Sequence, residues 1–108
     1  MTLTSLTGKK IRWTFADGPM PGTMFEHRFN ENGSITWLIM GGEYKGATAT
    51  EKSYTGVRVN DQTWVVSYLA ASGHTLTVVL TLGDGQAIGF ASNDKSWELL
   101  HGTFEMVD

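Results

Sequence analysis

One stretch, GSITWLIMGGEYKG from Gly33 to Gly46, narrows the structural choices for the whole chain. Successive side chains of a strand point in opposite directions, so Ile35, Trp37 and Ile39 share one side. Thr36, Leu38 and Met40 share the other. Both sides can be covered, which places this strand inside a small β structure rather than on its surface. Asn32-Gly33 leads into it as a turn, and Gly41-Gly42 closes it.

The same period of two recurs along the chain. After a polar lead-in, Thr2 to Thr7, the segment Lys9 to Ala16 sets Ile11, Trp13 and Phe15 against Lys10, Arg12 and Thr14. Asp17 to Gly22, DGPMPG, holds two prolines and two glycines and reads as a loop. Thr23 to Phe29 puts Phe25, His27 and Phe29 on one face, and NENGS turns it back into the Ile35 strand as a hairpin. Glu43 to Val59 is less regular and reads as one or two strands, with Ser53 to Val59 the clearer part. Thr63 to Ala71 carries Trp64, Val66, Tyr68 and Ala70 on one face. His74 to Leu82, Gln86 to Ser92 and Trp97 to Val107 complete the pattern. A rival helical reading at Asp94 to Leu100 is cut short by Gly102 and by Thr103-Phe104.

The fold class is therefore all-β: an antiparallel meander of about eight strands, whose exposed edges are removed by closing into a barrel. A barrel of that number has an interior just wide enough for side chains or one small ligand. The chain's 108 residues fit one domain, 1–108. Thirteen glycines, four tryptophans and many Thr and Val residues agree with short strands joined by turns.

Composition removes several functions. With no cysteine there is no disulfide, no cysteine-ligated metal and no cysteine nucleophile. A net charge of -3 without a basic cluster gives no footprint for nucleic acid. No apolar run reaches the roughly 20 residues of a membrane span, and MTLTSLTGKKIRW lacks the order of a secretory signal. The expectation is a cytoplasmic protein with no nucleic-acid or membrane partner.

Three groups of side chains bear on chemistry. Trp13, Phe15, Phe25, Trp37, Tyr54 and Tyr68 are the aromatic candidates for an apolar pocket that stacks on a flat ligand. Of the three histidines, His27 shares a face with Phe25 and Phe29 and is the candidate acid–base group; His101 is a candidate to orient a ligand. No short His-x-His or His-x-x-x-His pairing is present, so no metal site is expected. Glu26, Glu43, Glu51, Glu98 and Glu105 read as solvated outer-face carboxylates. Neither a phosphate-binding glycine loop nor a Gly-x-Ser-x-Gly elbow occurs, so a serine triad has no support.

In GKKIRWTF, FEHRFNENGSITWLIMGGEYKG and WVVSYLAASGHTLTVVL the chain resembles the calycin-type barrels of the phenolic acid decarboxylase and MoaF-like group. The resemblance covers most of the chain and implies a small lipocalin-like barrel with a ligand-sized apolar interior, often dimeric. It also implies what is absent. The decarboxylases carry Tyr-x-Tyr on the first strand to hold a substrate carboxylate, and the matching positions are Trp13 and Phe15. Their Gly-Arg pair after the Gly-Gly turn corresponds to Gly46-Ala47, and their glutamate after a Ser-Trp-Thr strand end corresponds to Ala70. The comparison places the chain nearer the MoaF-like branch and away from decarboxylation.

The leading expectation is a barrel that binds a small apolar or aromatic molecule through Trp13, Phe15, Phe25, Trp37 and Tyr68, oriented by His27, Tyr54 or His101, with no cofactor. The alternatives are a cofactor-independent lyase, isomerase or cyclase using His27, and a structural or interaction protein with a filled barrel. A homodimer is the assembly expected from the resemblance.

Overall fold

The alternating segments become nine strands in the computed structural model, which describes residues 5–18 and 20–107. In chain order they are β1 (Lys10–Phe15), β2 (Met24–Phe29), β3 (Ile35–Ile39), β4 (Thr48–Glu51), β5 (Thr55–Asn60), β6 (Thr63–Leu69), β7 (Thr75–Thr81), β8 (Gln86–Ser92) and β9 (Trp97–Val107). Residues 2–4 of the expected lead-in, and Pro19 of the first loop, lie outside the described residues. The irregular stretch after Gly42 resolves into two strands, β4 and β5, which raises the expected eight to nine. Asp94 to Leu100 forms no helix: β9 runs straight through Gly102 as the longest strand of the sheet.

All nine strands lie in one antiparallel sheet, in the order β4-β3-β2-β1-β9-β8-β7-β6-β5. Pairing of β1 with β9 joins the two ends of the chain and moves the break in the sheet to β4 and β5. These outermost strands are consecutive in sequence, separated only by Lys52, Ser53 and Tyr54. In a flat sheet eight spacings of about 4.8 Å would set them roughly 38 Å apart, whereas the step from Glu51 to Thr55 spans at most about 14 Å. The chain can satisfy both only if the sheet curls, and it does so into an antiparallel calycin-like barrel without a hydrogen-bonded ladder across the β4–β5 seam.

Curling turns one set of alternate side chains inward. Ile11, Trp13 and Phe15 of β1, Phe29 of β2, Ile35 of β3, Trp64, Val66 and Tyr68 of β6, Val78 and Leu80 of β7, and Leu100 of β9 form one buried core. On β8 the inward positions are small: Ala87, Gly89 and Ala91. A Cβ on Gly89 would come within 3.1 Å of the Phe15 ring, so that ring occupies the space this glycine leaves. β3 is covered on both sides, as its apolar pattern requires: Ile35 and Ile39 are buried, and Thr36 and Leu38 are half-buried.

Gly102 marks the closest backbone approach. It stands opposite Phe15 on one side and Ala87 on the other, and a Cβ there would lie 1.9 Å from the Thr14 carbonyl oxygen. The neighbour is main chain, which cannot rotate away. Gly102→Ala is expected to lower stability by about 3 kcal/mol or more by forcing β1 from β9. Gly41→Ala, where no atom lies within 4 Å, is expected to be neutral within about 0.5 kcal/mol. Urea unfolding of both variants checks this; equal midpoints would refute the packing account.

Candidate functional site

At one end of the barrel the side chains do not fill the interior. A cavity of about 140 Å³ lies among Trp13, Phe15, Phe25, Leu76, Ala91 and Leu100, with His27 and Tyr68 in its wall and Asp17 and Met20 at the first loop. Its cause is the residue choice on β8, where Ala91 leaves room that a larger side chain would occupy. Exposed Asp17 belongs to the lining, so the cavity reaches the surface beside this loop.

His27 is fully buried between aromatic neighbours. Its ring stacks on Trp13, with centroids 3.9 Å apart and planes 23° from parallel. Nε2 lies 2.9 Å from the Tyr68 hydroxyl, which links β2 to β6 across the interior. Nδ1 has no hydrogen-bond partner among the described residues. This geometry favours one tautomer. If Tyr68 donates to Nε2, only the Nδ1 proton is left without an acceptor. If Nε2 donates instead, both the Tyr68 proton and the Nδ1 lone pair are left over, and each unmade buried bond is costly. Burial lowers the His27 pKa from 6.5 to about 3, and burial first, then the charge of Glu51, raises that of Tyr68. Both groups are therefore neutral at physiological pH.

The first loop is pinned from outside. The His101 backbone N–H donates to Asp17 Oδ1 at 2.7 Å, and the His101 ring Nδ1 lies 3.1 Å from Asp17 Oδ2. These contacts, the backbone bond first, hold the Asp17 carboxyl below its ordinary range. Gly18 follows with φ of 84°, and a Cβ there would meet the Leu100 side chain at 2.1 Å, so the loop rests directly on the cavity wall.

The cavity thus gathers Trp13, Phe15, Phe25, His27 and Tyr68. Trp37, Tyr54 and His101 stand outside its lining. Trp37 faces inward beside His27 in the ladder but turns its Nε1 to Glu51 Oε2, 2.9 Å away. Tyr54 packs edge-on against Phe29, centroids 5.0 Å apart. His101 points outward and serves Asp17.

The family model described as MoaF N-terminal domain matches residues 1–95. The chain belongs to that family. A solved structure of similar shape comes from Burkholderia vietnamiensis and is provisionally described as a beta-lactamase. It is 19% identical, covers 99% of this chain and 100% of its own, and superposes with a TM-score of 0.78; at that identity it shows the fold alone. No curated protein matches the chain.

In this MoaF-family chain the sequence reading passes over Leu76, Ala91, Leu100, Met20 and Asp17 as cavity residues. Leu76, Ala91 and Leu100 occupy ordinary alternating positions, and only the barrel's closure brings them opposite Trp13. Asp17 reads as part of a turn. Glu51 is a clearer difference: it is buried, not solvated, and its Oε1 accepts the Ala71 N–H at 3.1 Å across the β4–β5 seam.

Protonation of His27 bears on stability with a definite sign. The unfolded chain binds a proton on this ring below about pH 6.5, and the folded chain only near pH 3. The contribution is complete above pH 6.5 and is lost as pH falls toward 3. From this group alone, stability is expected to drop by about 2 kcal/mol between pH 7 and pH 5. Urea midpoints at the two pH values should show it, and His27→Gln should shrink the difference. A drop of the same size in both proteins would show that His27 is not its source.

Proposed function

We propose that this protein binds a small apolar or aromatic molecule inside its barrel. The observation that carries this reading is the cavity, whose walls are Trp13, Phe15, Phe25, Tyr68, Leu76 and Leu100. Its roughly 140 Å³ is close to the engineered apolar cavity of about 150 Å³ that takes up benzene. Aromatic walls with a few convergent polar groups are the ordinary make-up of a ligand site.

Acid–base catalysis by His27 is the weaker reading. A general base works best when its pKa lies near the working pH, and this ring is lowered to about 3 by burial. The beta-lactamase description of the structural neighbour does not transfer. The chain's single Ser-x-x-Lys, Ser92 to Lys95, spans the β8–β9 turn, where Asn93 Oδ1 accepts the backbone N–H groups of Lys95 and Ser96. That is a turn device, not a nucleophile site. The reading needs no cofactor.

A homodimer in the cytoplasm belongs to the same proposal. Its support is an outward apolar row, Val57, Val65, Val79 and Ile88, continuous across β5 to β8, beside exposed Phe90 and Leu99 on β8 and β9. No helix among the described residues is long and apolar enough to cross a membrane. Light scattering is expected to give the mass of two chains, and Phe90→Asp is expected to return it to one; a single-chain mass for the unaltered protein would remove the dimer.

Tryptophan fluorescence tests the binding proposal, since Trp13 is part of the cavity wall. Titration with small aromatic aldehydes, amides, acids and short lipids is expected to give a saturable change with at least one class. Ala91→Leu fills the cavity from β8 and is expected to abolish it while near-ultraviolet circular dichroism stays native. No saturable response from any class would leave the barrel as a structural or interaction protein.

A further inference from the structure

The cavity's charge environment says more about its occupant than its size does. Among the described residues no lysine or arginine lines it. Its one charged lining group is Asp17, a carboxylate at the surface end. Glu51 faces inward on β4, and Glu98 stands opposite Ala91 in the β8–β9 ladder, on the same side of the sheet. The cations of the neighbouring strands point away: Lys10 and Arg28 are cross-strand partners on the outer face, and Arg12 pairs with Glu26 there at 3.1 Å. Lys45 and Lys95 sit on loops at the cavity's end of the barrel but are exposed and do not line it.

The two polar groups in the wall cannot supply a positive charge. His27 and Tyr68 are bonded to each other, and charging a ring that is fully enclosed and stacked on Trp13 works against desolvation. Asp17, for its part, is held by His101 at the exposed surface end, away from the aromatic walls. A molecule entering here leaves water without meeting a counter-ion.

From this we infer that the cavity selects an uncharged one-ring aromatic molecule and rejects the corresponding carboxylate. The inference rests on the binding proposal and narrows it to a ligand class. An isolated carboxylate moved from water into an apolar site without a partner costs several kcal/mol, and the Asp17 carboxylate at the surface end adds repulsion. For two compounds of the same size and shape, one neutral and one anionic, the difference is expected to reach about a hundredfold in affinity.

Benzamide and benzoate are such a pair, with benzaldehyde and toluene as further neutral probes. Each is titrated at pH 7 into the unaltered protein, Ala91→Leu and Leu76→Phe, the last two filling the cavity from different walls. Saturable binding of a neutral probe, lost in whichever cavity-filled variant retains native circular dichroism, with benzoate more than tenfold weaker than benzamide, supports the inference. Benzoate binding within tenfold of benzamide, and lost on filling the cavity, overturns the inference and leaves the binding proposal standing. If no probe binds, or binding persists in the filled variants, the occupied-cavity reading fails with it.

Discussion

The structure depends on a three-residue link. β4 and β5 are neighbours in the chain and opposite edges of the sheet, so Lys52, Ser53 and Tyr54 force nine strands to curl. Everything inside follows from that closure, because only in a curled sheet do β1, β2, β6 and β7 face one another. The seam is not zipped by a ladder, and side chains do the holding. Glu51 accepts from the Trp37 indole on its own side and from the Ala71 backbone on the other. A buried carboxylate with two donors is a sound staple, since leaving either donor or the charge unpaired would be costly. Tyr54 adds to it by packing on Phe29 and donating its backbone N–H to the Gly33 carbonyl at 3.2 Å. The Gly33–Gly46 stretch matters for the same reason: it delivers Ile35 to the core and Trp37 to the staple.

Closure explains the volume available; residue size explains how it is used. Phe15 extends into the gap over Gly89, and Trp13 stacks on His27. Ala91 is too short to reach the aromatic side chains that share the cavity with it, and the interior stays open toward the first loop. The His27–Tyr68 bond crosses this space and ties β2 to β6. It also satisfies His27 Nε2 and the Tyr68 hydroxyl, while His27 Nδ1 keeps no partner among the described residues. Opening a cavity forfeits packing contacts, and that cost falls only at this end of the barrel, while Leu80, Val66 and Trp64 fill the other.

Much of this was legible in the sequence, and the physical reason is the strand period. The alternation of Ile11, Trp13 and Phe15, and of Trp64, Val66 and Tyr68, identifies strands and their inward faces without knowledge of partners. It therefore reaches Trp13, Phe15, Phe25, His27 and Tyr68, all of which wall the cavity. What it misses depends on distance across the barrel. Ala91 and Leu76 carry no local signal, because their role is set by residues some fifty or more positions away. Glu51 looked like any surface carboxylate until the curl set Trp37 and Ala71 beside it. His101 had the chemistry of a site residue, yet strand parity alone turns it outward, since its neighbour Leu100 faces in. That Trp13 and Phe15 carry no hydroxyl, by contrast, needs no structure to see.

The same burial that makes His27 a poor acid–base group makes it useful in a wall. A histidine in water offers a charge near neutral pH; this one, enclosed and hydrogen-bonded to a phenol, offers only dipoles. Dipoles do not need a counter-ion, so the ring can border an apolar space without drawing ions or water into it. The charge of this region sits at the surface end of the cavity instead. His101 holds Asp17, Asp17 fixes the start of the first loop, and Gly18 lets that loop settle on Leu100. The division of labour is consistent: charges position the rim in solvent, where they are cheap to keep ionised, and aromatic surface defines the interior. A cavity organised in that way presents shape and apolar area inside and charge only at its rim.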